Sequence, residues 1–326
     1  MEAGSQWTDT SFLFPEAIQW SDLPAGDYAL YDEEVEQLGW ARLSDPVPSA
    51  PATDVEDPST TENSNNEDDV VEDEVLVEET PAIEHSMWGS HDIEEADIVQ
   101  GYIGDCWLMA SIAALAERPK HIKEAFLTEE INQAGVYALQ MHLLGSPITV
   151  TIDNFVPIEK DFAYYYYATV SEDGAIWGPL LEKAMAKYLG NYEAINGGYE
   201  KFAFQTIMGA PYTEYWTEYL TTDELWTVLT SEDEHDSMMS AGSFYGWGGD
   251  SSTNWLGIPY SHAFSVLGTA MLDDGTRLIH MRNPWGVESF SGDWSDFNLT
   301  WTEELKSQLG HDALDDGFFY IPIEDF

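Results

Sequence analysis

Apolar positions along this chain recur with helical spacing in one stretch and with strand character in two others. From Trp107 onward, Leu108, Ile112 and Leu115 follow one another at helical intervals until Pro119 ends the run, which predicts a helix with Cys106 in its first turn. Residues 260–267 predict a strand that opens on a histidine, His262, and residues 277–283 predict a second that closes on an asparagine, Asn283. Between them Asp273, Asp274 and Gly275 supply a turn, because Asp and Gly accept the backbone angles of a tight hairpin. Folding the chain at that turn brings His262 and Asn283 to the same end of the pair. Residues 46–82 have the opposite character: they hold twelve acids, no Lys or Arg and little large apolar content. Such a stretch cannot bury enough surface to offset chain entropy, so it is expected to be a disordered linker.

The one cysteine of the chain is Cys106, and it follows a loop with glycines at Gly101 and Gly104. A thiol at a helix start feels unpaired amides and the positive end of the helix, which favours thiolate and predicts a lowered pKa. A lone cysteine is more often a core residue than a nucleophile. Here, however, a histidine and an asparagine follow it in the chain order expected of Cys-His-Asn enzymes. In that arrangement the imidazole takes the thiol proton and the Asn283 amide holds the other ring nitrogen. Two more residues join them. Gln100, six positions before Cys106, offers a side-chain N–H to an oxyanion hole whose second donor is the Cys106 amide, and Trp285 stands ready to roof the His262–Asn283 bond.

Residues 100–115, from Gln100 through Gly104, Asp105, Cys106 and Trp107 to Leu115, resemble the nucleophile segment of the calpain family, Q-G-x-x-G-D-C-[WY]. Residues 180–194, from Leu180 and Glu182 through Lys187 to Ala194, are similar to the family's L-L-E-K-A helix. Residues 282–286 and 292–296 resemble its asparagine segment, and 316–319 with 324–326 resemble the end of its protease core. The resemblance covers about 84–326, with a weaker match near Thr8–Phe12. It implies an α+β, papain-like two-lobed cysteine protease core. Residues 1–45 would be an N-terminal extension packed on or near that core, 46–82 the acidic linker, 83–209 a helical lobe with the nucleophile, and 210–326 a β-rich lobe with His262 and Asn283. The implied activity is limited endopeptidase cleavage of protein substrates through an acyl-enzyme. Two alternatives stand beside it: a noncatalytic regulatory scaffold, and a thiol acyltransferase using the same cysteine.

The resemblance also implies substrate and metal positions. Gly198 and Gly209 match positions along the substrate backbone, and Ser261 stands where the family commonly has Gly before the histidine. Asp97 matches a ligand of one calcium site, and Asp296 and Asp316 match ligands of a second. Ala175, Ser289 and Phe318 stand where the family places further acids. Calcium takes six to eight oxygens, so both sites are expected to be weakened. No cofactor is required on this reading, with calcium the one cation in question. No EF-hand pattern is present and the resemblance ends with the protease core, so no calmodulin-like domain is expected.

Charge and composition narrow the partners. Sixty-one acids against 11 bases give −50, and removing the twelve acids of 46–82 still leaves −38. Phosphates would be repelled, so nucleic acid is not an expected partner. Adaptation to high salt and a preference for basic substrates both fit this acidity, and the sequence assigns no oligomeric state. The first residues lack a basic and apolar leader, and no window reaches the ~18 apolar residues of a membrane span. With a single thiol and no internal disulfide, the expected compartment is the cytoplasm.

Overall fold

A computed structural model describes residues 7–12, 17–18, 37–43, 84–160 and 164–326. The acidic stretch 46–82 lies outside the described residues. The element that organises the rest is helix α1 (Cys106–Ala116), in which every residue is buried. Its sequence is apolar on all sides, as a helix enclosed by its own protein requires. The Asp105 carbonyl accepts the N–H of Leu108 at 2.8 Å and of Met109 at 3.0 Å, which starts the helix just at the cysteine. Pro119 both bounds this helix and opens the next, because α2 (Pro119–Ala125) carries proline in its first turn, where a missing N–H costs nothing.

Around α1 the first core combines α2, α3 (Trp177–Leu189) and α4 (Glu200–Met208) with four strands: β1 (Leu38–Arg42), β2 (Val136–Leu143), β3 (Ser146–Asp153) and β4 (Phe155–Glu159). β1 pairs with β4 and β2 with β3, both antiparallel. The region expected to be helical is therefore mixed. Buried Tyr137, Leu139 and Met141 alternate with less buried neighbours along β2, the period of a half-buried strand. The described parts of residues 1–45 belong to this core, which includes Phe12, Ala17, Ile18, Leu38 and Leu43. Asp9 accepts from Lys187, and its N–H donates to Asp153 at 2.6 Å. Asp153 also holds the fully buried Lys183 at 2.6 Å. Burial pushes the Lys183 ammonium pKa down, and Asp153 opposes that shift by favouring the charged form.

A second core, from Leu225 to Ile323, forms on a four-stranded antiparallel sheet. Its strands lie in the order β5 (Met239–Gly242), β6 (Ala263–Met271), β7 (Arg277–Arg282), β8 (Phe318–Pro322). Helices α5 (Thr222–Glu234) and α6 (Glu303–Leu309) belong to the same region. α5 starts with a reciprocal cap in which Thr221 and Glu224 satisfy each other's amides. The β6–β7 hairpin turns at Asp273–Gly275, with Gly275 at φ 92°, and pairs Ser265 with Arg282. That register leaves His262 one residue before β6 and Asn283 one residue after β7.

The chain enters β6 through Ser261, which holds a left-handed φ of 51°. Such a backbone costs a side chain about 1–2 kcal/mol, and glycine gives back roughly 0.5–1 kcal/mol of that advantage as unfolded-chain entropy. Ser261→Gly is therefore expected to stabilise the protein by about 0.5 kcal/mol, read as a small rise in thermal midpoint. A lowered midpoint would mean that the serine hydroxyl offsets the strain.

Candidate active site

The loop before α1 is held from both sides. Gly101 passes so close to the Tyr167 carbonyl that an added Cβ would collide with backbone atoms, and the Tyr102 N–H donates to Tyr166 at 2.9 Å. From the other core the Pro284 carbonyl accepts the Gln100 N–H at 2.8 Å. Ser265 on β6 donates its hydroxyl to the Ala110 carbonyl of α1 at 2.8 Å. The Ala263 N–H lies beside the Cys106 sulfur and favours its charged form. The thiol therefore lies at the seam between the two cores, beside the residue that follows His262.

His262 is buried, and its Nε2 lies 2.9 Å from Asn283 Oδ1. The same Oδ1 accepts the Trp285 N–H at 3.1 Å, while Asn283 Nδ2 donates to Ser289 Oγ at 3.4 Å. An oxygen already accepting a backbone N–H needs a donor from the ring, so this network assigns the proton to Nε2 and leaves Nδ1 as the basic nitrogen. The Trp285 ring lies 4.2 Å from the imidazole, centroid to centroid, and covers it. The Asn283 N–H, bonded to the Gly317 carbonyl at 2.8 Å, anchors the amide to the segment leading into β8.

Burial dominates the electrostatics. It pushes the Cys106 thiol up to about 12, with the Ala263 N–H opposing and the nearby acids Asp105, Asp250 and Glu200 reinforcing the rise. It pushes His262 down to about 4, opposed by Asn283. His262 Nδ1 has no hydrogen-bond partner, so thiol and imidazole are not bonded to each other in this arrangement, and burial favours the neutral form of each. The lowered thiol pKa expected at a helix start is thus reversed. The sequence displays the helix end, but not the desolvation or the acids that outweigh it.

Cys106 and His262 line one cavity of about 1660 Å³, together with Gln100, Gly198, Ser261 and Trp285. Gly198 presents its open side to this space, and its back lies against the Trp107 indole, where a Cβ would collide. Gly209 is not among the lining residues; it ends α4 at φ 66° against the His142 ring. Gln100 Nε2 donates to the Ile103 carbonyl at 2.6 Å, which leaves the second N–H of the amide, and its Oε1 is buried without a partner. The sequence reading did not single out the acids Glu200 and Asp250 in the cavity wall, nor Asp105 as an electrostatic neighbour of the thiol. Asp105, an acid inside an otherwise apolar approach to the helix, was the one legible signal among them.

The positions matching calcium ligands lie in two separate neighbourhoods, around Asp97 and around Asp296. Asp97 Oδ2 accepts the Trp177 indole N–H at 2.7 Å and the Glu94 N–H at 3.0 Å, and burial pushes its pKa up to about 6. Ala175 adds no oxygen-bearing side chain there. Burial also pushes Asp296 up to about 8, with Glu288, Asp316 and Asp315 adding to the rise; neither carboxylate oxygen accepts a hydrogen bond, and His311 Nδ1 lies 3.8 Å from Oδ1. The Arg282 guanidinium, fully buried, already supplies positive charge towards Asp316, Glu95 and Asp97. Among the described residues, no three His, Cys, Asp or Glu side chains converge as a metal cage. Nor is any helix there long and apolar enough to cross a membrane.

Comparison with known proteins agrees with the motifs. The family model described as calpain family cysteine protease matches residues 78–326. The chain is 32% identical over 245 residues to the calpain-type cysteine protease DEK1 of Zea mays, spanning 73% of this chain and 11% of that protein. It is 30% identical over 246 residues to calpain-9 of Rattus norvegicus, spanning 71% of this chain and 34% of that protein. The calpain-1 catalytic subunit of Mus musculus is 29% identical over 244 residues, 71% of this chain and 33% of its own length. The chain thus spans about a third or less of the length of these relatives. By the family match over most of its length, the chain belongs to the calpain family of cysteine proteases.

Proposed function

We propose that this chain is a cysteine endopeptidase of papain-like, two-lobed architecture, cutting extended protein segments in the cleft between its two cores by a Cys106-His262-Asn283 triad. The observation that carries the reading is the 2.9 Å His262–Asn283 bond under Trp285, which leaves Nδ1 basic in the cavity that Cys106 lines. Nδ1 removes the thiol proton once the two groups come within hydrogen-bond reach, and the sulfur attacks the peptide carbonyl. The Cys106 amide and the free N–H of Gln100 hold the oxyanion. His262 then protonates the leaving amine, and water hydrolyses the acyl-enzyme. Residues 198 and 261 border the extended substrate. A chain with one thiol and no disulfide suits a reducing cytoplasm.

Cys106→Ser is expected to abolish casein cleavage on gels while leaving the circular dichroism spectrum unchanged, because serine offers no comparable thiolate. Cleavage retained above a trace would sink the proposal. Amide crosslinking by the wild-type protein, without new N-termini, would instead favour acyl transfer.

The neutral resting pair sets a pH dependence. A thiol pushed up to about 12 gains thiolate only as pH rises, so iodoacetamide should label Cys106 more slowly than free cysteine at pH 7. The rate should still climb above pH 9. A rate that is fast and flat from pH 6 upward would show a preformed thiolate–imidazolium pair instead.

Activity without a specific calcium requirement follows from the poor fit at Asp97, Asp296 and Asp316. Molar KCl should then raise casein cleavage as well as millimolar calcium does, by screening a −50 chain, and calcium added to KCl should do little. Saturable activation by micromolar calcium in molar KCl would overturn this part of the reading.

A further inference from the structure

Directly behind the nucleophile lies a polar contact that acceptors alone cannot make. Asp105 is fully buried, and neither of its carboxylate oxygens has an N–H or O–H donor. Its side chain instead adjoins that of Glu182 on α3, carboxyl against carboxyl. Glu182 is buried as well, and its Oε1 accepts the Ala168 N–H at 3.1 Å. Two ionised carboxylates offer only acceptors and repel each other in a dry interior. The contact becomes a bond when one of them carries a proton.

Among the described residues, no cation stands against the pair to replace that proton. Tyr167 and Tyr192 face the pair from two other segments, their rings stacked at 4.4 Å and their hydroxyls buried without partners. Burial and the two carboxyls hold both phenols well above their usual pKa, so neither ionises at working pH. Cys106 adjoins Asp105 along the chain, Tyr166 and Glu193 lie beyond Tyr167, and Asp153 lies beyond Tyr192. Lys183, next to Glu182 in sequence, is spent on Asp153 and the Phe155 carbonyl.

We propose that Asp105 and Glu182 hold one proton between them, and that this acid–carboxylate pair is a positioning device tying the first turn of α1 to α3. Asp105 occupies the N-cap of α1, where an aspartate ordinarily accepts a first-turn amide, yet its side chain makes no capping bond. The partnership with Glu182 turns the carboxyl away from those amides while the Asp105 carbonyl still starts the helix. Cys106 is thereby fixed from behind. The positioning role rests on reading Cys106 as the nucleophile; the shared proton does not.

The test compares Glu182→Gln, whose amide N–H donates to the Asp105 carboxylate with no proton taken up, against wild type and Glu182→Leu. In the wild-type fold the pair keeps a proton that an unfolded chain releases near pH 4. Asp105 itself is pushed up to about 8. Raised carboxyl pKa values stabilise most fully below the unfolded value, so this contribution is lost as pH rises from about 4 towards 8. The thermal midpoint of Glu182→Gln should therefore fall less steeply with pH than that of wild type, by the equivalent of about one proton. The infrared band of a protonated carboxyl present in wild type at pH 7 should lose intensity in this variant, and Asp105→Asn provides the same comparison from the other partner. Parallel midpoint curves with an unchanged band would overturn the shared proton. For positioning, Glu182→Leu should slow iodoacetamide labelling of Cys106 or casein cleavage by about tenfold or more, as expected for a displaced nucleophile, with Glu182→Gln restoring most of it. Equal rates in all three proteins would overturn the positioning role. Absence of casein cleavage even in wild type, with the midpoint and infrared differences intact, would count against the protease reading and leave the pair standing.

Discussion

Burial of one helix is the constraint on which the rest of this structure depends. All of α1 is enclosed, and it touches both cores: α3 and α4 share the first core with it, and β6 of the second sheet crosses its start. A helix with no solvent face cannot tolerate displacement without opening voids, which at typical packing density is costly. It therefore fixes where the two cores meet. Ser265 and Gln100 add hydrogen bonds across that seam, so the cysteine at the helix start and the histidine at the strand start are brought together by packing rather than by any direct bond between them.

The same burial governs the chemistry. Desolvation disfavours charge at Cys106, His262, Asp105, Glu182 and Asp97 together, and each group is shifted towards its neutral form. Lys183, a charge that persists in the interior, is closely paired with Asp153. A neutral thiol beside a neutral imidazole is inert until geometry or solvent access favours transfer of a proton. In the proposed mechanism the position of the His262 ring relative to the sulfur controls reactivity, and Asn283 and Trp285 contact that ring.

The acidic character of the chain reaches into the functional region. Glu200 and Asp250 stand in the cavity wall, and Glu288, Asp315 and Asp316 surround Asp296. These acids repel one another, and the repulsion favours the protonated form of Asp296. Arg282, buried beneath Phe318 with its guanidinium 5.2 Å from that ring, offsets part of the charge between the Asp97 and Asp316 neighbourhoods.

Local pattern alone placed the α1 start at Cys106, the turn at Gly275, and the meeting of His262 with Asn283, because helix spacing, turn chemistry and hairpin pairing are written in neighbouring residues. The motifs likewise carried the family. The strands of the first core were not read, although β2 alternates, since a half-buried hairpin of eight-residue strands leaves a weaker signal than a named motif. Nor did spacing show that Asp97 would be spent on the Trp177 indole, that Gly209 would pack on His142 rather than border the cavity, or that Asp105 would meet Glu182. Those partners come from segments far apart in the chain. The identity of each candidate group was legible in the sequence, but its charge was decided only by tertiary structure, because desolvation and distant neighbours exist only once the two cores have closed around α1.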